Sequence, residues 1–337
     1  MKSVIVIDAH AGGDVSRVIV GGVIPPAGDS LNQQMRNMGD LGPSLRRLLL
    51  SEPRGHAGMY ADLIVPPTAP SAGAGFIIIS STGYPYMSGS NTICVATVLL
   101  ETGMVEPPPP GGTLRLQTPM FEFDVTPEMM DGRVYRVTYD SPPSRCVTFD
   151  RLIQVPEYGN LRVDIVHAAH LLYPILDADK LGFSLTREEI PDLIRFGKVV
   201  VEAVEKTILR RDPIPSLTGV KTVDYLLFAG PLDRLGPERG MSRLAVFCRP
   251  GVICRSPSGT GLSARLAQLY GRRTIRSGFR LKAVSPFEMS FEGRATDDVT
   301  PDVGGPIINT RITGRAHLMG HCRLIRHDDD PFPLGPG

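Results

Sequence analysis

The chain contains no tryptophan, and only 6% of its 337 residues are aromatic. It also has no excess of charge of one sign, because 36 Lys and Arg residues face 35 Asp and Glu residues, for a formal net charge of +1. This balance gives no indication of a nucleic acid or an acidic membrane as a partner. With 42% hydrophobic and 21% charged residues, the composition is that of a globular protein long enough for two domains.

Long apolar runs and cysteine motifs are missing as well. The run V-I-V-I at residues 4–7 is followed at once by Asp8, and four apolar residues are too few for a signal peptide or a membrane span. The five cysteines form no CxxC pair, which argues against a disulfide framework and against structural zinc. We therefore expect reduced thiols, a cytoplasmic location and no bound metal.

Sequence motifs of the common cofactor sites are also absent. No GxGxxG precedes a helix, no Walker motif occurs, and no lysine is placed convincingly for pyridoxal phosphate. We expect a protein without a cofactor, whose partner is a small-molecule substrate.

Two short segments of the chain resemble each other. S-G-S-N at residues 88–91 and S-G-T-G at residues 258–261 each open a run with an apolar face that stops at a glycine, Gly103 or Gly271. A turn of small residues, an apolar-faced run and a glycine stop predict a helix in both places. The duplication suggests two similar halves, each presenting a hydroxyl and several backbone N–H groups at a helix N-terminus.

The remaining pattern is rich in strands and repeats its order in the two halves. Strands are predicted at residues 3–7, 17–24, 59–65, 75–80, 113–126, 133–139, 162–166, 172–176, 223–228, 243–248, 279–284 and 287–292. Helices are predicted at residues 30–50, 88–100, 186–209 and 258–270, the third beginning with the capping box T-R-E-E. The S-P-P at residues 141–143 is the best domain boundary. This arrangement indicates an α+β fold built twice.

The paired helix N-termini suggest a chemistry. A carboxylate is stabilised at a helix N-terminus by the N–H groups and the helix dipole. If two such ends bound one carboxylate, the attached α-carbon would lie between the leading side chains, Ser88 and Ser258. One group could then remove a proton from one face and the other return a proton to the opposite face, as racemisation or epimerisation requires; α,β-elimination of water fits the same geometry.

The chain resembles the proline racemase family, which includes hydroxyproline 2-epimerases and trans-3-hydroxyproline dehydratases, over nearly its whole length. Five blocks carry the resemblance: I-D-A-H-A-G-G-D at residues 7–14, E-P-R-G-H at 52–56, M-S-G-S-N-T-I at 87–93, R-S-P-S-G-T-G at 255–261 and D-P-F at 330–332. The resemblance implies the diaminopimelate-epimerase type of fold, in which two similar lobes, each a β-rich shell around a central helix, face each other across a cleft. It places residues 1–140 and the tail 314–337 in the N-terminal lobe and residues 141–313 in the C-terminal lobe, and it is compatible with a homodimer.

The resemblance also implies roles for individual residues. Ser88 and Ser258 stand where racemases and epimerases of the family have the two catalytic cysteines, and they are the predicted catalytic residues. The predicted substrate-binding residues are Gly89, Ser90, Asn91, Asp224, Cys254, Gly259 and Thr260. Ser90 and Cys254 replace a histidine and an aspartate that contact the substrate in the family.

Serine at both catalytic positions weakens the expected proton transfer. A thiol ionises near pH ~8.5, and more readily at a helix N-terminus, whereas a serine hydroxyl is a weak base unless a neighbour takes its proton. The sequence thus favours an epimerase or racemase acting on proline or hydroxyproline, and leaves open a trans-3-hydroxy-L-proline dehydratase and a paralogue that only binds a proline-like ligand. A serine introduced at 258 in place of a natural cysteine would give the same pattern.

Overall fold

The computed structural model describes residues 2–214, 217, 220, 222–300, 305–327 and 329–330. The chain divides into two compact units, Met1–Asp140 with Thr313–Gly337, and Ser141–Ile312.

The predicted α+β character is confirmed, since strands predominate and helices are few. The first unit and the strand that leaves it contain β1 (Lys2–Ala11), β2 (Asp14–Gly21), α1 (Leu31–Arg36), α2 (Leu41–Leu50), β3 (Tyr60–Val65), β4 (Ala74–Ile79), α3 (Gly89–Glu101), β5 (Leu114–Gln117), β6 (Glu122–Met130) and β7 (Arg133–Val155). The rest of the chain contains β8 (Gly159–Ala168), β9 (Leu171–Asp177), α4 (Ile190–Val204), β10 (Tyr225–Ala229), β11 (Asp233–Gly236), β12 (Arg239–Cys248), β13 (Val252–Ile253), α5 (Gly259–Gly271), β14 (Arg280–Val284), β15 (Ser290–Thr300), β16 (Ile307–Gly314) and β17 (Ala316–Arg326).

In the first unit, strands surround helix α3. Strand β1 pairs antiparallel with β2 and with β17, so the end of the described chain returns to its beginning. Strand β2 continues parallel to β3, which pairs antiparallel with β4. Helix α3 lies against β1, β2 and β17. Its apolar side chains face strands on several sides, and every residue from Gly89 to Leu100 is buried.

The second unit repeats this plan around α5. Strand β8 pairs antiparallel with β9, β9 runs parallel to β10, and β10 pairs antiparallel with β12. Helix α5 packs against β8, β9, β12 and β15, and is buried from Gly259 to Leu269. In each unit the strands thus fix the first turn of one buried helix.

Side chains from the sequence blocks that carry the family resemblance bind one another in the first unit. Arg17 binds both carboxylate oxygens of Asp8 and also donates to the backbone oxygens of Leu49 and Arg54. Arg54 in turn forms an ion pair with Asp330. These interactions give the E-P-R-G-H block a structural role. Residues 331 and 332 of the D-P-F block lie outside the described residues.

Several predicted elements have different limits in the structure. The helix predicted over residues 30–50 is two helices, α1 and α2, separated near Gly39, whose φ of 42° lies in the left-handed region. The strand predicted over residues 113–126 is divided between β5 and β6. The strand predicted at residues 287–292 begins later, at Ser290, because a turn occupies the preceding residues.

The boundary predicted at residues 141–143 lies inside strand β7. This strand pairs with β6 up to Tyr139 and with β8 from Ser144 onward. The two prolines occupy the stretch between these pairings, where their missing N–H groups remove no hydrogen bond of either ladder.

The predicted capping box is present just before α4. The backbone N–H of Thr186 donates to Glu189 Oε2 at 2.9 Å. The regular helix nevertheless begins only at Ile190, because residues 187–189 form a turn. Past Val204 the helix continues as a π-helical segment, Glu205–Arg211.

Candidate active site

Ser88 is the N-cap residue of helix α3, but its side chain does not cap the helix. The residue has an extended backbone, with φ −149° and ψ 124°, and its carbonyl accepts the first helical hydrogen bond from Thr92 N. Its hydroxyl makes no capping bond and lies 3.5 Å from the hydroxyl of Ser90. Two of the predicted site residues are therefore adjacent, and the early N–H groups of α3 receive no bond from the Ser88 side chain.

Asn91, in the first turn of α3, is fully buried. Neither Nδ2 nor Oδ1 of its side chain has a hydrogen-bond partner among the described residues. A buried polar group without a partner costs about 1–3 kcal/mol. A ligand with both an acceptor and a donor would remove this cost, which makes Asn91 the strongest single indication of a ligand at α3.

A second buried polar group lies beneath α3, at a residue that no sequence motif marks as functional. Asp62 of β3 is completely buried and accepts a hydrogen bond from Ser16 Oγ at 2.5 Å. Burial raises the pKa of the Asp62 carboxyl to about 7. Burial, with the carboxyls of Asp62 and Asp14 nearby, also raises the pKa of the Cys94 thiol well above its usual value, so Cys94 remains protonated. The only sequence signal was an aspartate inside the apolar strand predicted at residues 59–65.

Ser258 begins α5 in a different way from Ser88. Its φ of 62° lies in the left-handed region, which is unusual for a residue with a side chain. Its Oγ accepts a hydrogen bond from Gly261 N at 3.1 Å, and its own N–H donates to Ser256 Oγ at 3.0 Å. A side chain at Gly261 would place a Cβ 2.9 Å from Val246 Cγ2, so glycine is required for this close packing.

A tyrosine that carries no sequence motif joins this site. The Tyr173 hydroxyl of β9 lies 2.6 Å from Thr260 Oγ1, which is itself 3.3 Å from Ser258 Oγ. Complete burial raises the pKa of Tyr173 far above its ordinary value, so this group is a neutral phenol. The three hydroxyls form a chain that can hold or pass a proton at Ser258. Tyr173 lies in the strand predicted at residues 172–176, and no sequence pattern marks it as a site residue.

Cys254 lies near the same hydroxyls, and the Asp224 side chain is hydrogen-bonded to a neighbour in its own segment. Cys254 Sγ is 3.2 Å from the Sγ of Cys248, and both sulfurs are close enough to act electrostatically on Tyr173. Asp224 is half-buried and accepts a hydrogen bond from Thr222 Oγ1 at 3.1 Å. The residue after it, Tyr225, brings its ring to 5.4 Å from that of Tyr173. Cys254 and Thr260 thus have Tyr173 as a common neighbour.

A cavity of about 680 Å³ in the second unit lies toward the other end of α5. It is lined by Arg265, Gln268 and Arg272 and by none of the predicted site residues. Burial lowers the pKa of Arg265 to about 10. The described parts of the chain hold no group of three or more His, Cys, Asp or Glu side chains placed for a metal ion, and none of their helices is both long and apolar enough to cross a membrane.

Comparison with known proteins decides the family. The model of the family described as proline racemase matches residues 6–336. The chain belongs to the proline racemase family. A protein of Marinobacter nauticus is 37% identical over 325 residues, which cover 96% of this chain and 92% of that protein.

Two crystal structures of the family are similar over nearly the whole chain. A probable proline racemase of Agrobacterium radiobacter K84, with bound carbonate, is 32% identical with a TM-score of 0.84, covering 98% of this chain and 94% of the other. A hydroxyproline epimerase of Agrobacterium vitis, with bound trans-4-hydroxy-L-proline, is 29% identical with a TM-score of 0.85. The match covers 99% of this chain and 94% of the other. The predicted family and the α+β fold are therefore confirmed, and racemase or epimerase chemistry is the activity of the family.

Proposed function

We propose that this protein is a cofactor-independent racemase or epimerase acting at the α-carbon of proline or a hydroxyproline. The substrate carboxylate is bound by the N-termini of α3 and α5, and Ser88 and Ser258 are the catalytic residues. The substrate-binding residues are Gly89, Ser90, Asn91, Asp224, Cys254, Gly259 and Thr260. The observation that carries the proposal is the buried amide of Asn91, which has neither a donor nor an acceptor partner in the described chain.

The chemistry of this ligand fits the available groups. An amino acid carries a carboxylate, which the N–H groups of a helix N-terminus bind. It also carries an ammonium group, from which Asn91 Oδ1 or the Asp224 carboxylate can accept a hydrogen bond. The Agrobacterium vitis relative, a hydroxyproline epimerase, was crystallised with trans-4-hydroxy-L-proline. A proline-like ligand is therefore the first to test.

The two serines differ in the proton chemistry that they support. Ser258 Oγ accepts a hydrogen bond from Gly261 N, which makes the oxygen a weaker base and its O–H a better donor, and the hydroxyls of Thr260 and Tyr173 can resupply the proton. Ser88 Oγ has no capping bond and can accept. Neither residue has the low pKa of a thiol at a helix N-terminus, so we expect slow exchange.

This asymmetry supports a second candidate, the dehydration of trans-3-hydroxy-L-proline. Dehydration requires a base on one face only and an acid to assist the departing hydroxyl. Ser258, whose oxygen is stabilised by the N–H of Gly261, has the character of the acid.

One experiment separates these functions. The protein is incubated in D₂O with L-proline, trans-4-hydroxy-L-proline or trans-3-hydroxy-L-proline, and the α-proton is followed by NMR. Exchange with inversion supports the epimerase, and loss of the 3-hydroxyl with imine formation supports the dehydratase. Binding without either change supports a ligand-binding paralogue. Absence of both binding and reaction with all three would reject the substrate class.

Cysteine variants sharpen this test. The double variant Ser88→Cys/Ser258→Cys should exchange the α-proton at least tenfold faster than the parent, because thiolates replace alcohols as bases. Ser88→Cys alone should favour dehydration. Ser184→Cys, in a loop away from both helix starts, is the control for an added thiol. If the double variant binds the ligand but gains no exchange, the serines do not face the α-carbon.

A further inference from the structure

Cys248 and Cys254 lie side by side on one hairpin of the second unit. Cys248 is the last residue of β12, and Cys254 follows β13 directly. Cys248 pairs with Val252, and Cys254 N donates to the carbonyl of Val246 at 2.9 Å, which extends the register by one pair. In this register the two cysteines are diagonal neighbours on one face, and their sulfurs are 3.2 Å apart.

The two sulfurs are near enough to form a disulfide bond after a small movement. A disulfide requires about 2.05 Å between sulfurs and a Cα–Cα separation of about 4.4–6.8 Å. The sulfurs need to approach by roughly one ångström, a movement that side-chain rotation can supply. The enclosed loop is short, so the bond stabilises the fold less than one that closes a long loop, and thiol exchange can open it again.

The two sulfurs also differ in access. Cys254 is half-buried, whereas Cys248 is only 6% exposed. Of the other cysteines, Cys94 and Cys146 are buried, and burial raises the pKa of each thiol. An accessible thiol with a second thiol in contact is the arrangement of a reversibly oxidised pair. Cys254 would react first and Cys248 would resolve the product.

We propose that Cys248 and Cys254 form a reversible disulfide by exchange with a low-molecular-weight disulfide such as glutathione disulfide. The Cys254 thiolate attacks the reagent, forming a mixed disulfide and releasing one thiolate. The Cys248 thiolate then attacks the Cys254 sulfur and releases the second thiolate. The two protons from the protein thiols convert the released thiolates to thiols, so the protein is oxidised by two electrons and the reagent is reduced by two.

The site lies beside the hydroxyl chain of Tyr173 and Thr260, because both sulfurs act on the Tyr173 hydroxyl. Oxidation removes two S–H groups from the surroundings of the Tyr173 hydroxyl. The proposal is independent of the proposed function, since the bond forms in the protein without a ligand.

Peptide mass spectrometry tests the proposal directly. Trypsin does not cleave before proline, so the Arg249–Pro250 bond survives and residues 244–255 form one peptide containing both cysteines. After equilibration with glutathione disulfide and blocking of remaining thiols, this peptide should be unalkylated and two hydrogens lighter than its reduced form. Addition of excess reduced glutathione should restore two alkylatable thiols.

Variants identify the order of reaction. Cys248→Ser should accumulate glutathione on Cys254, and Cys254→Ser should remain largely unmodified. Cys146→Ser, which removes a buried cysteine of the same unit, should oxidise as the parent does. Two results would overturn the proposal: a native protein in which peptide 244–255 stays fully alkylated after oxidation, or a disulfide that joins either cysteine to another part of the chain.

Discussion

Ser258 Oγ accepts a hydrogen bond from the backbone N–H of Gly261, whereas the corresponding hydroxyl of Ser88 makes no capping bond. The two helix starts therefore share a sequence pattern but not a side-chain role. The Ser258 side chain caps α5, whereas the Ser88 hydroxyl lies against the hydroxyl of Ser90.

This difference predicts unequal effects on stability. Ser258→Ala should lower the free energy of unfolding by about 0.5–2 kcal/mol, because a capping bond is lost. Ser88→Ala should change it by no more than about 0.5 kcal/mol. Ser258→Gly should lose less than Ser258→Ala, since glycine adopts φ 62° without strain. Urea titration measures all three, and equal losses for the two alanine variants would contradict the assigned capping role.

Asp62 should make stability depend on pH near neutrality. Its pKa is raised to about 7 in the folded protein, above the ordinary value of 3.8, so the folded state holds the proton more tightly. Stability should therefore fall as pH rises from about 4 to about 7 and level off above that, with a total loss on the order of 4 kcal/mol. In Asp62→Asn this fall should be absent, because an amide does not titrate.

Thermal unfolding from pH 4 to pH 8 checks the Asp62 prediction. Asp124→Asn is the control, since a hydrogen bond from Arg115 lowers the pKa of Asp124 and its contribution is lost only toward acid pH. Parallel profiles of Asp62→Asn and the parent protein would show that Asp62 does not bind the proton.

Arg272 neutralises a buried carboxylate. Its Nε and Nη2 donate to the two oxygens of Asp164 at 2.9 and 2.7 Å, and the Asp164 side chain is only 5% exposed. Arg272→Ala should cost about 3–5 kcal/mol, because a buried charge loses its partner. Adding Asp164→Asn should recover part of the loss. Arg195→Ala, which breaks an exposed pair with Asp192, should cost at most about 1 kcal/mol. The absence of recovery in the double variant would assign the cost to lost packing.

Gly197 is required by the packing of α4 on β12. A Cβ at this position would lie 2.6 Å from Phe247 Cδ2, and Phe247 is fully buried. Gly197→Ala should therefore lower the free energy of unfolding by about 1–3 kcal/mol. Gly83→Ala, where a Cβ meets nothing within 4 Å, is the control and should be nearly neutral. Chemical denaturation of both variants tests the assignment, which a neutral Gly197→Ala would refute.

Oxidation of Cys248 and Cys254 should weaken ligand binding if Cys254 is a substrate-binding residue. We expect the dissociation constant for trans-4-hydroxy-L-proline to rise at least tenfold in the oxidised protein and to recover on reduction. Isothermal titration of the two forms measures this. If the disulfide forms but neither form binds the ligand, the proposed function fails while the disulfide stands. Equal affinity in both forms would place Cys254 outside the binding site.

Local patterns were sufficient to predict most elements of the fold. The small-residue turns before α3 and α5, the strand alternation and the T-R-E-E box act within a few residues, and each is found near its predicted place. The errors have local physical causes. Gly39 divides the predicted helix into α1 and α2 by taking a left-handed conformation, and a turn before Ser290 delays the start of β15.

The amino-acid sequence by itself determined the family, the α+β class and the two helix starts with serine in place of cysteine, because these depend on residues close together in the chain. Tertiary structure alone decided that Tyr173 meets Thr260, that Asp62 is buried beneath α3 and that Cys248 contacts Cys254. The first two depend on the packing of strands β9 and β3 against helices α5 and α3, and the third on the register of a hairpin. A shift of one residue in the pairing of these strands would turn these side chains to the opposite face of the sheet.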